Sequence, residues 1–262
     1  MEEFDELVAI MARLRGPGGC PWDRQQSHKS LRHYFVEEVY EALEALDDED
    51  MSRFCGELGD VMLQIVFHAQ LAEEAGEFNM RDVVRRINEK LVRRHPHVFG
   101  DVAVSGAEEV LDNWQEIKLA EGENAHRESV VDGVPRGLPS LQRAYDLQRR
   151  AARVGFDWPD IGGVWDKVAE ESEEVREAAE GGDAEEIEAE VGDLLFAVVN
   201  LARFLGVEPE QALRAASSRF EGRFRKVEKK AGEAGLDMRE MKLAELDELW
   251  EAAKKEHGQA KD

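Results

Sequence analysis

Read at 100° per residue, Val164, Val168, Val175, Ala178 and Ala179 fall on one stripe of a helix, and Leu31, Phe35, Ala42, Ala45 and Leu46 do the same earlier in the chain. Continued along the chain, this periodicity predicts helices over roughly 3–15, 28–47, 50–75, 80–94 and 107–121, then 162–180, 184–205, 208–231 and 240–256. The stretch from Val191 to Leu205 is apolar almost all round, which predicts a central, buried helix. Gly181-Gly182-Asp183 reads as the end of one helix and the cap of the next, with Glu186 in capping-box position three residues after Asp183. From about 122 to 139 the periodicity fails while glycine and proline accumulate, which marks a linker. The expectation is an all-α protein of two helical domains, 1–121 and 140–262, joined through 122–139.

The two halves repeat each other. Glu38-Val39-Tyr40-Glu41 and Glu57-Leu58-Gly59-Asp60 recur as Glu171-Ser172-Glu173-Glu174 and Glu190-Val191-Gly192-Asp193, all four acids at one offset of 133 residues. Lys90 and Arg94 recur as Arg219 and Arg223 at an offset of 129, and Trp114 and Lys118 as Trp250 and Lys254 at 136. Offsets that change between blocks but hold within them are what a duplication leaves when loops change length and helices keep their register.

Composition narrows the partners. Charged residues make up 35% and aromatics 7%, with 7 prolines, a balance that suits helices with solvated faces better than a sheet sandwich. A formal net charge of −24 repels nucleic-acid backbones, so any phosphate ligand must come with a cation. The longest apolar run, Leu194 to Val199, is too short to span a membrane, and the acidic start lacks the basic region of a signal peptide. A cytoplasmic protein with neither nucleic-acid nor membrane partner is expected, and the distant Cys20 and Cys55 fit reduced thiols there.

An ExxE pair on a helix usually decorates a solvated face. Here Glu171 and Glu38 lie inside the apolar stripes, with Glu174 and Glu41 at their edges. A carboxylate on a core face costs several kcal/mol unless it is protonated, paired or bound to metal. Glu190 and Asp193, like Glu57 and Asp60, open the following helix on a common face. Packed antiparallel, the two helices gather four carboxylates that repel without a counter-ion. A hard divalent cation, Mg2+, suits an all-oxygen set, whereas di-iron sites of helical bundles use an ExxH pair that is missing here. Gly59 and Gly192 between the acids each weaken a helix by about 1 kcal/mol, which suggests close backbone approach at the site.

Lys90 with Arg94, and Arg219 with Arg223, project from one helical face each, where a salt-bridging surface is the plainer alternative to a phosphate site. Trp114 with Lys118, and Trp250 with Lys254, offer an aromatic surface for a base or ribose and a cation for phosphate. With Gly19-Cys20-Pro21-Trp22-Asp23, Arg93-Arg94-His95-Pro96-His97-Val98-Phe99 and Val191-Gly192-Asp193-Leu194-Leu195-Phe196, these motifs resemble the two-domain MazG nucleoside triphosphate pyrophosphohydrolases over nearly the whole chain.

That resemblance implies four-helix bundles completed by homodimerisation, Mg2+, and hydrolysis of ribo- and deoxyribonucleoside triphosphates to monophosphate and pyrophosphate, with catalysis in the C-terminal copy. It implies Glu171, Glu174, Glu190 and Asp193 as metal-binding, catalytic acids, and Lys167, Arg219, Arg223, Trp250 and Lys254 as nucleotide-binding residues. Glu38, Glu41, Glu57, Asp60, Lys90, Arg94, Trp114 and Lys118 form the corresponding second set. Position 219 departs from the family pattern, which favours lysine: charge is kept, but a fork replaces a point charge. Ligand and general-base roles stay open between Glu171 and Glu174. No GxxxxGK[ST] motif occurs, because Arg15-Gly16-Pro17-Gly18-Gly19 lacks the following Lys-Ser/Thr. The alternatives are a house-cleaning pyrophosphatase for one non-standard nucleotide, or a non-catalytic helical protein that binds a nucleotide or partner.

Overall fold

The computed structural model describes residues 2–106, 109, 110, 113, 114, 117 and 129–258, the last three by backbone only. All regular structure among them is helical, and the chain divides into two compact units, 1–126 and 127–262. The first holds α1 (Glu2–Arg15), α2 (Pro21–Gln25), α3 (Arg32–Asp47), α4 (Met51–Glu74), α5 (Met80–Arg94) and α6 (Pro96–Phe99). The second holds α7 (Ser140–Arg153), α8 (Ile161–Gly181), α9 (Ala184–Phe204), α10 (Pro209–Glu233) and α11 (Leu243–Gly258). The helix expected over 107–121 and the first part of the expected linker lie largely outside the described residues.

Each unit is organised around a helical hairpin, α3 against α4 and α8 against α9. Short, capped connections make the reversals. Asp50 accepts the Ser52 and Arg53 N–H groups at 3.1 and 2.9 Å to start α4. Gly182, at a φ of 76°, closes α8 in the left-handed region, and Asp183 then caps α9 through the Glu185 N–H at 2.9 Å. That single bond replaces the capping box expected with Glu186; the reciprocal arrangement occurs instead at the start of α5, between Asn79 and Asp82.

In the first unit, α1 lies on α4, where Met11, Leu31, Val66 and Phe67 form the buried cluster. Arg15 clamps the far end by a fork onto Glu74, with bonds of 2.8 and 2.7 Å. Residues 28–31, expected in α3, instead form a turn tied by Ser27 and Ser30, whose hydroxyls compete for local backbone partners. In the second unit α7, which the periodicity did not single out, packs on α9, and Gln148 donates to the Phe196 carbonyl at 2.8 Å.

The stripes hold in part: Phe35, Leu46 and Ala179 are exposed. Leu31, Ala42 and Ala45 are buried in one copy and Val164 and Ala178 in the other. The expectation of a fully buried 191–205 helix is corrected: Ala197 and Val199 are buried, but Val191, Leu195 and Val198 form an exposed line. Within its unit α9 is packed mainly by α8 and α7, which leave this second apolar line uncovered. Leu58, Met62 and Ile65 make the same exposed line on α4 at the same offset of 133.

Candidate active site

The hairpins carry the acids. Glu171 sits in the buried stripe of α8 with 5% of its surface exposed, one turn before half-buried Glu174. Glu190, in the first third of neighbouring α9, completes a group whose carboxylate oxygens lie within 4.8 Å of one another. Glu38, Glu41 and Glu57 form a matching group between α3 and α4. Asp193 and Asp60, the fourth acids of each expected set, are exposed, one helical turn beyond Glu190 and Glu57, and stand outside these groups. Asp60 still acts on the cluster, because its charge helps to raise Glu38.

The close backbone approach expected at Gly59 and Gly192 is not found: a methyl group at either would meet nothing within 4 Å. Both glycines are exposed, and the apolar lines beside them point away from the unit, so no backbone of the same unit comes near.

Crowding shows in the electrostatics. Loss of hydration, then the negative charge of Glu171, hold the Glu174 carboxyl above its ordinary value. Burial, then Asp60 and Glu41, do the same to Glu38. The compensating groups differ between the copies. Lys167 places its Nζ 2.5 Å from Glu171 and 2.8 Å from Glu170, and these acids, Glu170 first, push its pKa upward. In the first copy Gln64 donates to Glu38 at 3.5 Å, while Arg53 meets Glu57 at 3.3 Å, Glu44 at 2.5 Å and Asp48 at 3.4 Å. Gln64 and Arg53 escaped the sequence reading because neither recurs at the offset of 133, where Ala197 and Glu186 stand.

The basic and aromatic residues sit on the helices that follow. On α10, Arg219 is exposed and Arg223 half-buried, with its Nε out of solvent and without a hydrogen-bond partner. A guanidinium donor left unmade within a protein is a ready position for an anion. Trp250 on α11 lies 5.2 Å from Phe220 on α10, between the two arginines in sequence, and exposed Lys254 pairs with Glu251 at 2.6 Å. In the first unit, Arg94 is buried with its guanidinium 4.9 Å from the centre of the Trp114 ring, and Lys90 is half-buried one turn earlier. Lys118 lies outside the described residues.

A further cavity of about 430 Å³ opens between α3, α4 and α5, lined in part by His28, Arg32, Phe35 and His68, with the two histidine Nδ1 atoms 2.7 Å apart. At the offset of 133 the histidines correspond to Ile161 and Leu201, so this cavity is not part of the duplicated machinery.

Two helical hairpins, each gathering three carboxylates into one all-oxygen cluster, define a duplicated all-α protein. A family model described as the MazG nucleotide pyrophosphohydrolase domain matches residues 26–99 and 164–228, which takes in every acid of both clusters, and the chain belongs to this family. It is 47% identical over 251 residues to the nucleoside triphosphate pyrophosphohydrolase/pyrophosphatase MazG of Thermotoga maritima, covering 96% of this chain and 95% of that protein. It is 46% identical over 259 residues to the nucleoside triphosphate pyrophosphohydrolase of Escherichia coli, covering 98% of each. The uncharacterized protein YabN of Bacillus subtilis is 48% identical over 253 residues, 96% of this chain but 52% of that one.

Proposed function

We propose that the chain hydrolyses ribo- and deoxyribonucleoside triphosphates to the monophosphate and pyrophosphate, with Mg2+ as cofactor, in its C-terminal unit. The observation that carries this reading is the buried Glu171, gathered with Glu174 and Glu190 within 4.8 Å, in a chain aligned over nearly its full length with nucleoside triphosphate pyrophosphohydrolases. The donor set fits the ion: carboxylate oxygens only, half-open to solvent so that waters can complete the shell, and already attracting a cation in Lys167. Glu171, Glu174 and Glu190 would hold it, with Asp193 at the rim.

When bound, Mg2+ neutralises phosphate oxygens and acidifies water. The chain's own residues supply the rest. Arg219 and Arg223, one turn apart on α10, offer guanidinium donors to the negative charge that grows on the departing pyrophosphate. Trp250 presents a ring to the base or ribose, and Lys254 an ammonium to a phosphate. Glu174, whose carboxylate is made more basic by loss of hydration and by the charge of Glu171, suits accepting a proton from an attacking water; Glu171, paired with Lys167, suits ligation.

The exposed apolar lines Leu58–Met62–Ile65 and Val191–Leu195–Val198 support a homodimer, since they offer one self-complementary surface in each unit. Sedimentation should give a dimer at micromolar concentration, and Leu195→Asp should shift it to monomer. Among the described residues no helix is long and apolar enough to cross a membrane, and the two free cysteines agree with a reducing, cytoplasmic setting. Phosphorus NMR of the products decides the activity: monophosphate and pyrophosphate support it, diphosphate and orthophosphate as first products overturn it. Turnover confined to one modified nucleotide would favour the narrower house-cleaning role.

A further inference from the structure

The two copies answer one physical problem in different ways. In each, a core-facing glutamate belongs to a crowded acid cluster and needs a partner. Glu38 takes the side-chain amide of Gln64, which is 6% exposed and anchored in α4. Glu171 takes the ammonium of Lys167, which lies one turn earlier on the same helix, with its side chain 37% exposed. The substitutions are reciprocal. At the offset of 133, Lys167 corresponds to Tyr34 and Gln64 to Ala197, so each copy lacks the other's solution. A neutral amide locked in a core satisfies a carboxylate and leaves little room for change. An ammonium on a flexible four-carbon stem satisfies it and can leave.

From this we propose that Lys167 is the resident counter-ion of the C-terminal acid cluster, standing at Glu171 where a divalent cation must bind, so that metal entry requires its displacement and is coupled to nucleotide binding. The inference rests on the pyrophosphohydrolase reading and concerns the order in which its site fills. Nζ is 2.5 Å from one Glu171 oxygen, and a divalent cation approaching that oxygen is opposed by a positive charge so close. Bare metal therefore binds against the lysine. A triphosphate brought with the metal offers the displaced ammonium new acceptor oxygens, so the two ligands favour each other. The N-terminal cluster, with Tyr34 and Gln64 in place of Lys167 and Ala197, holds its core-facing Glu38 by an amide and carries its cation, Arg53, on Glu57 instead.

The test is Mn2+ binding by calorimetry and electron paramagnetic resonance on the full chain, in a Glu38→Gln background that disables the N-terminal cluster, with and without a non-hydrolysable triphosphate analogue. In the parent, the analogue should tighten Mn2+ binding by about tenfold. Lys167→Met should bind Mn2+ about tenfold more tightly without the analogue and gain little from adding it, whereas Lys167→Arg should keep the parent's coupling. If Lys167→Met folds poorly, Lys167→Tyr with Ala197→Gln restores a neutral donor for Glu171 and should show the same tightening. Unchanged or weaker Mn2+ binding in these variants, at parental melting temperature, overturns the proposal. The readout does not depend on turnover, so an absence of pyrophosphate release would instead count against the enzymatic reading.

Discussion

Replacing Glu190 by glutamine should have opposite effects on stability and on activity, and the pair of signs tests the cluster as a whole. The carboxylate oxygens of Glu171, Glu174 and Glu190 lie within 4.8 Å of one another, and Glu190 contributes to holding Glu174 above its ordinary pKa. Two unit charges at 4.8 Å repel by about 3.5 kcal/mol at an effective dielectric constant of about 20, and by about 1 kcal/mol in water. Glu190 is half-open to solvent and Lys167 offsets part of the field, so the lower figure applies. Glu190→Gln keeps the shape and removes the charge. The metal-free protein should therefore melt higher by about 2–4 °C, the shift that about 1 kcal/mol produces in a protein of this size.

With Mg2+ the sign reverses. Changes to residues that only support metal ligands weaken metal sites by about 10–100-fold, so loss of a ligand should lower kcat/KM by at least about 100-fold, or about 2.7 kcal/mol. The melting-temperature rise that Mg2+ gives the parent should shrink as well. Differential scanning fluorimetry with and without Mg2+, alongside a pyrophosphate-release assay, measures all three. A lower melting temperature in the metal-free variant would show that Glu190 is structurally paired and that the repulsion argument is wrong. Full activity would remove Glu190 from the site.

Because Glu174 is raised above 4.5, its proton is held more tightly in the folded than in the unfolded chain; it favours the metal-free fold below 4.5, and that contribution is lost as pH rises through the folded value. Metal binding just above pH 4.5 should accordingly release protons, and calorimetry in buffers of different ionisation heat that finds none would contradict this. Asp157→Ala breaks the bond of 3.0 Å that Arg203 makes from the end of α9 to the loop after α7, and should lower unfolding stability by about 1–3 kcal/mol in urea titrations. Asp193→Asn should remove most turnover and Asp60→Asn little, because the first copy has Tyr34 in place of Lys167; equal losses would make both copies catalytic.

Helical phase and duplication are properties of spacing alone, so the sequence by itself determined the all-α class, the repeat at 133 residues and the placement of Glu38 and Glu171 on core faces. A charged residue inside an apolar stripe signals chemistry before any contact is known, because burial without a partner is too unfavourable to persist. Partners are another matter. Which side chains meet depends on how helices distant in sequence pack, and that only the tertiary structure decided. It drew Glu190 into the group with Glu171 and Glu174 and left Asp193 exposed at its rim. It showed that Gly59 and Gly192 face open space rather than another backbone, and that the apolar 191–205 segment keeps an uncovered line. It also set Gln64 against Glu38 and Lys167 against Glu171, a difference invisible to pattern, since periodicity reports which face a residue occupies and not which charge it will find there.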